Sequence, residues 1–344
     1  MHAHQPIVIE LIALLDSRPD LTLALAESLR KAEWPGVRDR TQYFAFLDRV
    51  VTMIPVDRNL NRYVNEFFYL VDQSPNDLLL IDASFQSWMH QFCTSWGAFL
   101  DTPASAKDVP GFFGDPAYHI NDYYVAPSGW LTFNQFFARQ VRPGKRPIDG
   151  LCDPSVVVSP ADSVFQGHWD ITATSTVTAK GFTWSVLDLL QDSPFRDKFT
   201  GGVFTHSFLN VNDYHRFHVP VAGVVRELRK IPGRISMDVS KQPDGTLDTV
   251  DGPSYQYTQD RGLLVLETEL GMVAVLPIGM AQVSSVTLTP ELGAALHKGQ
   301  EFGFFQFGGS DIVTLFEAGK VELTASIGTH YNQGKQIGHV IAGR

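Results

Sequence analysis

Two textures divide this chain. In the first third, apolar residues recur at steps of three and four: Ile81, Phe85, Trp88, Phe92, Trp96 and Phe99 fall on one stripe, the spacing of a helix that turns an aromatic face toward a core. That helix is expected to begin near Asn76. Leu21 to Lys31 reads as another helix with Asp20 as its N-cap. A run of small and turn-forming residues from Asp101 to Gly114 ends the pattern.

From about Val156 the period shortens. Short β-branched runs alternate with Gly, Pro and Asp: Val156 to Val158, Gly202 to Leu209, Val219 to Leu228 and Gly262 to Glu269. Met272 to Ile278, Gln282 to Leu288 and Ile312 to Phe316 continue the series. Such spacing predicts a sandwich or barrel, with one helix-like interruption at Ser185 to Leu190. No internal repeat, low-complexity tract or flexible linker interrupts the chain. The expected fold class is α+β: a helical N-terminal domain over 1–120, then a β-rich domain over 121–344.

Composition narrows the setting. The 44% hydrophobic and 19% charged residues are those of an ordinary soluble globular protein. No run approaches the roughly 20 apolar residues of a membrane span, and Met1 to Ile9 lacks the basic start and cleavage site of a signal peptide. Two cysteines, Cys93 and Cys152, have no metal-ligand spacing, and no metal site is expected. They suit a reducing cytosol as small packing residues. A net charge of −10 disfavours nucleic acid and anionic membrane surfaces. The expected location is cytoplasmic.

Three stretches carry candidate chemistry: Ser159-Pro160-Ala161-Asp162, Asp213-Tyr214-His215-Arg216-Phe217-His218, and Gly303 through Phe307-Gly308-Gly309-Ser310-Asp311. Singly, each reads as a turn, a polar patch and a loop. Together they supply an acid, a base and a hydroxyl, the inventory of a serine nucleophile. A hydrolase elbow fits poorly, because Gly308-Gly309-Ser310-Asp311-Ile312 lacks the second glycine of G-x-S-x-G and runs on into β-branched residues. His215 and His218 share one side of a helical turn but take opposite sides of an extended strand, and the spacing leaves both open.

With these stretches quoted, the chain resembles the phosphatidylserine decarboxylase family of pyruvoyl enzymes over roughly residues 129 to 328. Further matching pieces are Phe136-Phe137-Ala138-Arg139, Arg142-Pro143-Gly144-Lys145-Arg146-Pro147, Lys180-Gly181 and Lys298-Gly299. The resemblance implies that Asp162 orients His218 and that His218 takes the proton of Ser310. The Ser310 oxygen then attacks the Gly309 carbonyl. Cleavage between Gly309 and Ser310 leaves residue 310 as the pyruvoyl cofactor at the head of a 35-residue chain, 310–344, partnered with 1–309. A substrate amine would condense with that ketone as a Schiff base, carbon dioxide would leave, and His215 would return the proton. Two departures stand out: Ser163 replaces the glycine of S-P-x-D-G, and the family's V-G-A reads Ile278-Gly279-Met280.

For the substrate, residues 1–120 hold nine Lys and Arg against fifteen Asp and Glu, a net of −6, which an anionic bilayer repels. Trp96-Gly97, Phe99-Leu100 and Leu209-Asn210-Val211 are similar to the soluble branch that includes the fungal tryptophan decarboxylase of psilocybin biosynthesis. The expected substrate is a free L-amino acid, an aromatic one such as tryptophan favoured. The alternative is phosphatidylserine, giving phosphatidylethanolamine. A lipoyl-type carrier module is disfavoured because Ser310 stands where a carrier would need lysine. Membrane association is not expected, and a homo-oligomer stays open.

Overall fold

The computed structural model describes residues 3–55, 57–172, 176–179, 182–249, 259–279, 285–307 and 309–341. Six helices of the described residues pack on one another: α1 (Pro6–Ser17), α2 (Pro19–Ala32), α3 (Arg40–Val50), α4 (Asp57–Asp72), α5 (Leu78–Ile81) and α6 (Ala83–Leu100). A short seventh, α7 (Phe133–Phe137), follows a series of 3₁₀ turns. Two expected boundaries move. Asp20 is not a cap, because Pro19 opens α2 at its first turn after Arg18, the position where a missing N–H costs least. The aromatic helix starts at Ala83, since the Asp82 carboxylate accepts from the N–H groups of Ser84 and Phe85 and caps it there. Ile81 therefore lies outside α6 and is exposed, whereas Phe85, Trp88, Phe92 and Trp96 are buried as the spacing predicts.

The β-rich part is built on an eight-stranded antiparallel sheet. Its order is Ala295–Leu296, Gly223–Ile231, Arg261–Thr268, Gly271–Gly279, Gly309–Phe316, Val203–Phe208, Ser163–Asp170 and His330–Tyr331. A smaller sheet sets Glu301–Phe305 between Val286–Leu288 and Arg216–His218. The helix-like interruption is a 3₁₀ helix, Val186–Leu190, closed by a capping box between Ser185 and Asp188. Lys180-Gly181, Met280 and Gly308, named above, lie outside the described residues.

Alternation along Gly309–Phe316 sorts the sheet's two faces. Ile312 and Phe316 join a buried cluster that also takes in helical residues from Ile7 to Leu100, while Val313 and Leu315 join a second one with Leu187 and Leu190. Polar ties lock the layers. Gln86 of α6 donates to the Ile235 carbonyl and accepts from the Ile235 N–H, and Asn65 of α4 donates to the Leu247 carbonyl. Of the two cysteines, Cys93 is half-buried on α6, but Cys152 is exposed on a turn, so it does not pack as expected. Among the described residues, no helix is long and apolar enough to cross a membrane.

Candidate active site

The chain brings the histidine segment against the strand that leads to Ser310. Arg216–His218 pairs antiparallel with Glu301–Phe305, His218 facing Glu301 and Phe217 facing Gly303. The Phe305 N–H donates to the His215 carbonyl at 2.9 Å. Gly303 permits this approach: a Cβ there would collide with the Phe217 ring and the Thr287 carbonyl. On the other side, the His218 N–H donates to the Pro160 carbonyl at 2.7 Å, so the three candidate stretches meet through their backbones. The extended alternative is the one realised, and the two imidazoles have different surroundings.

His218 is held as a neutral base. Its Nδ1 lies 2.9 Å from the Gly299 carbonyl oxygen, which can only accept, so Nδ1 carries the proton and Nε2 keeps its lone pair. Nε2 lies 3.2 Å from the Tyr214 hydroxyl, which donates to it. Burial lowers the His218 pKa to about 4, against the smaller opposing pull of that carbonyl bond. Gly299 can present its carbonyl because its φ is +75°, and a Cβ would run into Ile148.

His215 is fully buried and stacked on Phe137, ring centroids 3.9 Å apart. Its Nδ1 donates to the Asp213 carbonyl at 2.9 Å, and its Nε2 has no hydrogen-bond partner among the described residues. Burial, with the Arg139 guanidinium adding to it, pulls its pKa down to about 3. A lone pair left unsatisfied inside a core costs free energy, which makes Nε2 a candidate for work on a bound molecule. Arg139 is itself buried, donating to the carbonyls of Asn212 and Asp213 and lying over the Tyr123 ring at 4.2 Å.

The Asp162 carboxylate meets Arg146 rather than the His218 ring. It takes a fork from Arg146, Nε at 3.0 and 2.9 Å and Nη2 at 2.6 Å, plus the Gln333 N–H at 2.7 Å. Arg146 reaches on to Asp122 at 3.1 Å, and Lys145 pairs with the same carboxylate at 2.9 Å. The Asp162 carboxylate is thus occupied by a bidentate guanidinium, while the Gly299 carbonyl takes the Nδ1 proton of His218. The two side chains are not hydrogen-bonded, and Asp162 anchors the loop whose Pro160 carbonyl holds the His218 backbone. Nearby, Asp213 accepts from His330 Nε2 at 2.9 Å.

Gly309 and Ser310 open the strand Gly309–Phe316, with Gly309 registered against Gly279 across a local irregularity. Gly308 and the Ser310 side chain lie outside the description. The segment before them is pinned: the Gln306 N–H donates to Ser285 Oγ at 3.0 Å, and the Phe307 N–H donates to Asn134 Oδ1 at 3.2 Å. The Asn134 amide in turn donates to Asp101 and the Gly97 carbonyl of α6. Two adjoining clefts of about 380 and 420 Å³ share Asp101, Asn134 and Gln306. The first also reaches Phe307, and the second is lined by Arg139 and Arg216.

Sequence reasoning quoted Arg146, Tyr214 and Gly299 inside longer motifs without giving them these roles, and it missed Asn134. Only Tyr214 carried a local signal, lying four residues before His218.

An α+β scaffold thus buries two imidazoles on the segment that pairs with Glu301–Phe305, the strand that leads toward Ser310. A sequence model of the phosphatidylserine decarboxylase family matches residues 133–339, and the chain belongs to that family. It is 31% identical over 259 residues to phosphatidylserine decarboxylase proenzyme 2 of Oryza sativa subsp. japonica, covering 74% of this chain and 40% of the rice protein. To the phosphatidylserine decarboxylase proenzyme of Fusobacterium nucleatum it is 29% identical, covering 69% and 77%. To decarboxylase iboD of Amanita muscaria it is 28% identical, covering 73% and 82%. The matched span thus covers less than two thirds of the rice relative's length.

Proposed function

We propose that this protein is a pyruvoyl-dependent carboxy-lyase that cuts itself between Gly309 and Ser310 and decarboxylates a free L-amino acid, an aromatic one favoured. The observation that carries this is the pair of histidines: the His218 Nδ1 is bound to the Gly299 carbonyl and burial lowers its pKa, which leaves Nε2 as the base, and the buried His215 Nε2 has no hydrogen-bond partner among the described residues. In the first phase, His218 Nε2 takes the Ser310 hydroxyl proton, with the Tyr214 hydroxyl poised to pass it along. The oxygen adds to the Gly309 carbonyl carbon, the C–N bond breaks, and an ester replaces the amide. β-Elimination then leaves Gly309 with a carboxylate, and water releases ammonia from residue 310 to give the ketone. In this division, 1–120 supplies a helical domain and 121–344 the catalytic one, with 310–344 staying bound to 1–309 after the cut.

The pyruvoyl group supplies an electron sink for the pair released as carbon dioxide leaves. His215 suits the return of a proton to the substrate carbon. Its Nδ1 proton is held by the Asp213 carbonyl, so Nε2 would take up a proton from water and pass it to that carbon, which returns the ring to the neutral form its burial favours.

The family relatives favour a second reading, phosphatidylserine to phosphatidylethanolamine, since most carry that lipid in their names. The Amanita relative, named only a decarboxylase, supports the first, as does the acidic N-terminal region. Intact-mass analysis tests the chemistry: a 35-residue fragment with a blocked N-terminus is expected, and an uncut 38.2 kDa chain in an active preparation refutes it. Incubation with tryptophan, phenylalanine, tyrosine and phosphatidylserine vesicles tests the substrate. Carbon dioxide from the vesicles alone overturns the amino-acid reading.

A further inference from the structure

The cleft of about 380 Å³ that reaches Phe307 has a composition that selects among those substrates. One wall is α6 with its C-cap: Cys93 and Gly97 on the helix and Asp101 at the cap. The other is the β-rich part, with Asp260, Gln306 and Phe307. Phe307 stands three positions before Ser310, and its N–H is tied through Asn134 to Gly97 and Asp101. The cleft therefore lies alongside the segment whose end is the proposed pyruvoyl residue. The helical wall, residues 90–101, lies outside the span 133–339 matched by the family model.

The cleft's chemistry is aromatic and acidic. The Trp96 ring meets the Phe307 ring edge-to-face at 5.2 Å. Two carboxylates, Asp101 and Asp260, line the cleft, and no lysine or arginine does among the described residues. Asp260 receives the Gly233 N–H on Oδ1, and its Oδ2 lies 3.5 Å from His90 Nδ1, leaving it able to accept a further donor. An acyl chain here would strip water from two carboxylates without replacing it, and a phosphodiester would meet like charge. A flat ring with an N–H or O–H on its edge suits both the aromatic wall and the acceptor. Room exists for it: a Cβ added at Gly97 meets nothing within 4 Å.

We infer that this cleft binds the side chain of the amino-acid substrate and selects an aromatic ring bearing a hydrogen-bond donor, with Asp260 accepting from it. The inference rests on the amino-acid reading above and deepens it. Indole serves as the probe, because it has the ring and the N–H but no amine to condense with a ketone. Titration calorimetry on the full-length protein is expected to show indole binding, weakened at least tenfold in Gly97→Leu, which fills the space, and in Asp260→Asn, which removes the charge. Decarboxylation by the wild type should favour tryptophan over phenylalanine at least tenfold in kcat/KM, with the ratio falling in Asp260→Asn. Circular dichroism checks that each variant folds, and the two act at separate walls, so one misfolded variant leaves the other decisive. Absent indole binding, or equal binding in all three proteins, overturns the assignment even if intact mass shows the chain cut and amino acids are turned over. Conversely, an uncut active chain refutes the pyruvoyl chemistry while the indole titration still judges the cleft.

Discussion

Helix α6 and the segment Asp213–His218 both close on Phe307, and by different means. Trp96 reaches that ring directly, whereas His215 reaches it through Phe137, which stacks on the imidazole and meets Phe307 at 5.5 Å. Around Phe92 of α6 the neighbours are the rings of Phe67 and Trp88, contacts without a donor or acceptor, so area and volume decide. Around His218 and Asp162 each group is placed by hydrogen bonds with defined donors, and geometry decides. The first kind of region forgives a change of identity at constant volume; the second does not forgive a change of geometry at constant charge.

Several variants break or sharpen that contrast. Phe92, fully buried on α6, should cost about 3–5 kcal/mol as Phe92→Ala, but less than about 1.5 kcal/mol as Phe92→Leu, measured by urea unfolding. Arg146→Met leaves the buried Asp162 carboxylate without its fork and should cost about 3 kcal/mol. Arg146→Lys keeps the charge but loses the bidentate geometry. It should recover little of that loss and should slow self-cleavage on a gel, and an Arg146→Lys protein as stable and as readily cut as wild type would falsify the contrast. Asn134→Ala frees the Phe307 N–H and should cost about 1–2 kcal/mol, slowing cleavage more than Phe92→Leu does.

Smaller effects follow from titration. His215 and His218 have pKa values lowered to about 3 and about 4, against about 6.5 in the unfolded chain. The unfolded state therefore binds protons first as the medium is acidified. Their contribution to stability is complete above pH ~6.5 and is lost as the pH falls toward the folded values. The melting temperature should drop between pH 6.5 and 4, less steeply in His215→Phe, and the self-cleavage rate should show no inflection near 6.5. His330, paired with Asp213, has the opposite sign: its pKa is raised, so its stabilisation is present below pH ~6.5 and fades as the pH rises through the folded value. With this side chain 40% exposed, the melting difference between wild type and His330→Gln should be small, and confined to the acidic side.

Much of this was legible beforehand, and particular residues show why. The stripe Phe85 to Trp96 needs only the period of a helix to be read, and Gly271–Gly279 needs only a β-branched run, because local backbone geometry repeats along the chain. The register that sets His218 against Glu301 pairs residues over eighty positions apart, and no local pattern encodes such a distance. The resemblance implies Asp162 as the orienting acid of His218; in the structure the Asp162 carboxylate accepts from Arg146 and the His218 Nδ1–H donates to the Gly299 carbonyl, pairings that no local pattern encodes.

By itself, then, the sequence determined the α+β division, the family and the serine at which the chain is expected to cut, since these depend on residue type, period and order. The neutral state of both imidazoles, the Arg146–Asp162 fork and the two carboxylates that line the cleft with Phe307 were decided by tertiary structure alone. Burial, tautomer and charge balance are properties of what surrounds a group in space, and those surroundings come from segments far apart in the chain.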